Sequence, residues 1–120
     1  MMPVQLKRIY EKTDKQDGYR VLVDKVWPRG ISKDKAELDD WAKEVPPSAS
    51  LRKWFNHEKE KFEAFAGYYD EELQNDENAQ QKINELADKA ALNTVTLLFA
   101  AKDETYNHAV LLKQWIEEKR

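Results

Sequence analysis

From Val95 to Ala101 the chain carries no charged side chain, and Val21-Leu22-Val23 is a second, shorter apolar run. Both are too short for a buried helix and lack the alternating polar residue of a half-exposed strand, so they belong to strands covered on both faces. Strands of that kind build parallel sheets. Each run also stops abruptly in polar residues, the first at Lys102-Asp103 and the second at Asp24 followed by Trp27-Pro28-Arg29-Gly30. In an open α/β sheet, ligands bind in the crevice beyond the carboxyl ends of the strands, where connecting loops converge on a rigid platform. The chemistry of this chain is expected at those two junctions.

The remaining periodicities supply the covering layers. Val4 to Ile9 reads as a first strand near a sheet edge, Tyr19 to Asp24 as a central strand, and Thr94 to Ala100 as a second buried one. Phe62, Phe65, Ala66, Tyr69 and Leu73 follow helical spacing, as do Ala79, Ile83, Leu86, Ala87 and Ala90, and then Ala109, Leu112, Trp115 and Ile116. These stripes are core. Ser32 is placed to cap a short helix through Ala36, and Ser48 one carrying Leu51 to Phe55. The segment Leu38 to Val45 fits either a helix face or a short strand ending at Pro46-Pro47. Strands alternating with helices predict a three-layer α/β domain spanning residues 1–120, with a mainly parallel sheet of about three or four strands flanked by helices.

Composition removes several classes of function. With 120 residues, 36% of them charged, and a net charge of only -3, the signs are interspersed. Wholesale binding to a nucleic-acid backbone is disfavoured, although Lys25, Arg29, Lys33 and Lys35 leave room for a local phosphate contact. The absence of cysteine excludes disulfides, thiolate nucleophiles and Cys-ligated metals. His57 and His108 are the only histidines, and their spacing matches no zinc motif, so no metal is expected. Gly18, Gly30 and Gly67 are too scattered for a dinucleotide fingerprint or a P-loop, so no cofactor is expected either. No apolar run approaches the length of a membrane span and the amino terminus lacks a signal-peptide core, which points to the cytoplasm.

Taken one by one, the polar residues at the strand ends each have two readings. Trp27 either stacks on a planar ligand or plugs the core, and Arg29 either grips a carboxylate or phosphate or pairs with a structural carboxylate. Asp24 is a general acid or base, or half of an ion pair with Arg8 or Lys102. Lys102 is a phosphate contact or, if desolvated, a base or nucleophile, while Asp103 is expected mainly to cap the last helix. Arg52, Asn107 and His108 complete a candidate anion-binding set.

Three stretches carry a family resemblance: Arg20 to Ile31, Pro47-Ser48 with Leu51 to His57, and Thr96 to Glu104 with Asn107. Over roughly residues 8 to 116 the chain resembles the YeaO-like family of uncharacterised bacterial proteins. That resemblance implies an α/β fold and a shared polar set but no particular reaction. Lys25, Asn56 and Phe99 stand where the family pattern suggests arginine, glycine and tyrosine. Two functions follow from the residues. The first is binding, with hydrolysis or group transfer, of an anionic nucleotide-like small molecule, using Asp24 and Lys102 as catalytic groups. The second is a non-catalytic adaptor that engages a protein or a short nucleic-acid segment through Trp27, Arg29, Trp41, Arg52 and Trp54.

Overall fold

The structure is a computed structural model that describes residues 4–119. Four parallel strands, β1 (Val4–Arg8), β2 (Tyr19–Leu22), β3 (Asp40–Trp41) and β4 (Val95–Phe99), form one sheet in the order β1-β4-β2-β3. The two uninterrupted apolar runs thus lie side by side at its centre, with Val21 opposite Leu97, and β1 takes the edge. Leu38 to Val45 resolves as a strand: Asp40 and Trp41 pair with Val21 and Leu22, and the chain turns at Val45 before the two prolines.

The helices are α1 (Lys33–Ala36), α2 (Ala49–Phe55), α3 (Phe62–Gln74), α4 (Glu77–Leu92) and α5 (His108–Glu118). Ser32 and Ser48 cap α1 and α2 as their positions suggest, each accepting a backbone N–H. The two-residue period of a strand splits the central residues between faces. Val21, Val95, Leu97 and Phe99 face the main core, where they meet Phe55 of α2, Phe65, Tyr69 and Leu73 of α3, Ile83 and Leu86 of α4, and Leu112 and Ile116 of α5. Leu22 and Leu98 face the other way, into a small cluster with Ile9 and Ala36 that Trp27, Ile31, Leu38 and Trp41 surround.

The three layers are therefore unequal. One outer layer holds four helices, and the other consists of α1 and connecting loops. Because β4 lies between β1 and β2, the connection from Ile9 to Gly18 must pass across it, and Thr96 on this face donates its hydroxyl hydrogen bond to the Asp17 carbonyl at 2.6 Å. Gly18 is required there: its φ is +64°, and a Cβ would lie 2.3 Å from the Thr94 carbonyl oxygen. Among the described residues no helix is long and apolar enough to cross a membrane.

Candidate functional site

All four strands point the same way, so the segments following β1, β2 and β4 emerge at one edge of the sheet. Together with the chain from Pro46 to His57 they enclose a cleft of about 750 Å³. Phe55, Phe65, Pro28, Pro46, Pro47, Ala100 and Ala101 make its surface substantially apolar, and Lys25, Arg29, Arg52 and Lys102 place cations around it. The catalytic and small-ligand candidates Asp24, Trp27, Arg29, Arg52, Lys102, Asn107 and His108 all line this one cleft, whereas Lys33, Lys35, Trp41 and Trp54 do not. Arg29 and Lys102 line the same cleft because β2 and β4 are adjacent.

Asp24 is held by the backbone and by α5. One carboxylate oxygen accepts the Ala100 N–H at 2.9 Å, and the other lies 3.3 Å from Nε2 of His108. The same Nε2 is 2.8 Å from the Val23 carbonyl oxygen. Neither expected partner of Asp24 is its partner. Arg8 instead donates to the Ala101 and Ala100 carbonyls at 2.9 and 3.0 Å, fixing the end of β4, and Lys102 is exposed. Behind His108 lies Tyr69, fully buried, whose hydroxyl donates to the Val45 carbonyl; burial raises its pKa well above the usual phenol value, so it remains a neutral donor.

The Trp27-Pro28-Arg29-Gly30 turn is braced by two indoles. Trp27 donates through Nε1 to the Ile31 carbonyl at 2.6 Å, Trp41 donates to the Asp24 carbonyl at 2.7 Å, and the rings meet edge to face at 5.2 Å. Trp27 is thus a core plug that also forms part of the cleft wall. Gly30 supplies the positive φ of 76° that closes the turn. Tyr10 donates its hydroxyl to the Arg29 carbonyl at 3.0 Å, so the Arg29 backbone is pinned while its side chain stays exposed.

On the opposite wall, Arg52 projects from α2 with its Nε buried and without a hydrogen-bond partner among the described residues. His57 also lines the cleft, following Asn56 in a left-handed pair with φ of 48° and 57°. His57 is not among the site residues to which the sequence points. Its one signal was Asn56, a residue that tolerates the left-handed region, at a position where the family suggests glycine.

The loop before α5 corrects one expectation. Asp103 does not cap that helix. It accepts the Thr105 and Tyr106 N–H groups at 2.9 Å each, closing a separate turn, while Asn107 caps α5 by accepting from Val110 and donates to the Asp103 carbonyl at 2.7 Å. The helix starts later because Asn107, a capping-type residue further along the loop, offers a complete cap of its own. The hydrogen bonds from Tyr106 and Thr105 hold the Asp103 carboxyl below its usual pKa. Asn107 is buried and its amide is used at both ends. Among the described residues no cluster of histidine and carboxylate side chains has the size to hold a metal ion.

A parallel α/β sheet with its polar residues gathered at the carboxyl edge defines the class of protein. The chain belongs to the family described as the inactive DUF488-N3 subclade, whose model matches residues 3–120. It is 43% identical over 115 residues to the uncharacterised protein YeaO of Escherichia coli strain K12, which covers 96% of this chain and 97% of that one. It is also 40% identical over 111 residues to the uncharacterised protein Rv3073c of Mycobacterium tuberculosis, covering 92% and 91% of the two chains. No solved structure matches it.

Proposed function

We propose that this domain binds an anionic small molecule, nucleotide-like in having a planar part, in the cleft at the carboxyl edge of the sheet, and that it does so without transforming it. One observation carries the reading. Lys25, Arg29, Arg52 and Lys102 line a cleft of ligand size in a chain of net negative charge, and none of them forms an ion pair among the described residues. Cations placed for structure here find acceptors, Arg20 the Asp17 carboxylate and Arg8 the Ala100 and Ala101 carbonyls. Those left without a carboxylate around a concave, partly apolar surface suit a ligand that brings its own negative charge.

The hydrolysis or group transfer suggested by the sequence is not part of this reading. Lys102 is exposed and lacks the desolvation that makes a lysine nucleophilic. Among the described residues lining the cleft, Tyr10 carries the only hydroxyl and none is serine or threonine. The family's description as inactive supports the same side. A concave site also favours a small ligand over the flat contact an adaptor would use.

Isothermal titration at low salt with inorganic phosphate, nucleoside monophosphates and their uncharged nucleosides tests the proposal. Binding of the monophosphates that Arg29→Ala weakens is the expected result. Equal binding of nucleoside and monophosphate, or no binding by any of them, sinks it.

A further inference from the structure

His108 is the one titratable ring in the cleft whose inward edge is fixed. Its Nε2 lies 2.8 Å from the Val23 carbonyl oxygen and 3.3 Å from a carboxylate oxygen of Asp24. The carbonyl can only accept, so Nε2 must carry a proton, while the Asp24 oxygen beside it is buried and makes no hydrogen bond among the described residues. The second ring nitrogen, Nδ1, has no partner among the described residues and is not a buried atom, while the ring itself forms part of the cleft wall. Asp24 in turn cannot rotate freely, since its other oxygen is held by the Ala100 N–H. A carboxylate behind an imidazole fixes the tautomer and stabilises the imidazolium.

From this geometry, and resting on the anion-binding reading above, we infer that His108 is the specificity-determining contact for the ligand's anionic group, donating from Nδ1 after taking up one proton, and that Asp24 is its positioning residue. The bound class is an oxyanion that presents an acceptor oxygen to the ring. Asp24 acts through the ring and does not touch the ligand.

Charged and titratable groups share the cleft with the ring. They are Asp24 beyond the end of β2, Tyr10, Lys25, Arg29, Arg52, His57 and Lys102 on the cleft walls, and Asp103 in the preceding loop. Tyr69 of α3 packs against the ring edge to face at 6.3 Å and is neutral. An oxyanion that accepts a hydrogen bond from Nδ1 needs the proton there, so ligand and proton enter together.

Long-range proton–nitrogen NMR of the histidine rings reads the charge state directly, and His57→Gln assigns the two signals. In the free protein above neutral pH, His108 is expected as the tautomer protonated at Nε2; the opposite tautomer overturns the inference without any variant. Benzenesulfonate, which is planar, anionic and does not titrate here, should then protonate Nδ1 on binding. Its affinity should rise by up to about tenfold per pH unit between pH 8 and 6, the limit for uptake of one proton. His108→Gln should flatten that profile, and Asp24→Asn should make it shallower while binding at high pH is kept. A flat wild-type profile, or one that His108→Gln leaves unchanged, overturns the inference but leaves an anion site. Failure of benzenesulfonate to bind at any pH, with the tautomer as expected, removes the anion contact itself.

Discussion

The two ends of β2 treat the same side chain in opposite ways. At the amino end Arg20 is buried and its guanidinium is spent. It donates to the Asp17 carboxylate at 2.5 Å, to the Ala36 carbonyl at 2.9 Å and to the Glu37 carbonyl at 3.2 Å, while Lys7 holds the other Asp17 oxygen at 2.9 Å. Beyond the carboxyl end, Arg29 is exposed and forms no ion pair among the described residues, and Arg52 keeps a buried Nε without an acceptor. A buried charge is tolerated only when paired and hydrogen-bonded, so the amino end is built as a closed lock that ties the crossing loop and α1 to the sheet. The carboxyl end keeps its cations in reserve. Charge satisfaction, more than charge itself, separates the structural end of this sheet from the end that faces a cleft.

The largest consequence is for stability. Arg20→Ala leaves Asp17 buried with Lys7 as its one remaining cation and strips two carbonyls of their donor, and removal of one partner from such a pair costs about 3–5 kcal/mol. Arg29→Ala, by contrast, should stay within about 0.5 kcal/mol of the parent, as exposed substitutions do. Urea denaturation of the two variants measures the difference directly; equal midpoints would erase the distinction between the ends. Acid provides a second measure. Burial works to raise the Asp17 pKa, but hydrogen bonds from Lys7, the Asp14 backbone and Arg20 outweigh it and leave the carboxyl below its usual value. A carboxyl whose folded pKa is depressed stabilises fully above its unfolded pKa, near 3.9 as an approximate reference, and the contribution is lost as pH falls through the folded value. The lock should therefore loosen only in strong acid, and Asp17→Asn should reduce that part of the acid dependence. An acid unfolding curve unchanged by Asp17→Asn would show that the lock does not titrate.

How far each end could be read in advance follows from the range of its interactions. The central strands announced themselves because a strand covered on both faces leaves an unbroken apolar run, and the caps at Ser32 and Ser48 because a cap is local. Asp17 and Arg20 are near neighbours in sequence, yet their burial was not visible, since it depends on a loop crossing β4. The Asp24–His108 contact was hidden for a stronger reason. It joins the end of β2 to the start of α5, and no periodicity spans that distance, so Arg8 and Lys102 were equally plausible partners for Asp24. Asp103 and Asn107 are both capping residues, and a preference scale cannot say which one the helix will use. The gathering of the candidate site residues around one cleft was legible because parallel neighbours release their loops at the same edge; what the cleft holds was not.

If the open end binds an oxyanion, its cations should not be interchangeable. Arg29→Lys keeps the charge but loses the planar fork, whereas Lys102→Arg keeps the charge and gains one. The first should weaken a nucleoside monophosphate by about tenfold, the value of one charge-assisted hydrogen bond, and the second by less than about threefold. Titration of both variants at one low salt concentration decides it. Equal losses would mean that the cleft collects charge without reading its geometry.

The smallest expected effect concerns what keeps the open end in shape when so few ion pairs brace it. Asn56 and His57 turn the chain out of α2 in the left-handed region and set His57 on the cleft wall, with the Asn56 N–H donating to the Arg52 carbonyl at 3.0 Å. Asparagine accepts that conformation better than other residues with a side chain, and glycine accepts it without cost but loses more entropy on folding. Asn56→Gly should therefore move stability by no more than about 0.5 kcal/mol, because the two effects oppose each other. Asn56→Ala, lacking both the glycine freedom and the local hydrogen bonding of asparagine, should cost about 1 kcal/mol. Thermal unfolding of the pair resolves differences of that size. If alanine is tolerated as well as glycine, the left-handed turn is not what holds this wall, and the rigidity of the cleft must come from the packing of Phe55 against Phe65, whose rings stack at 4.3 Å.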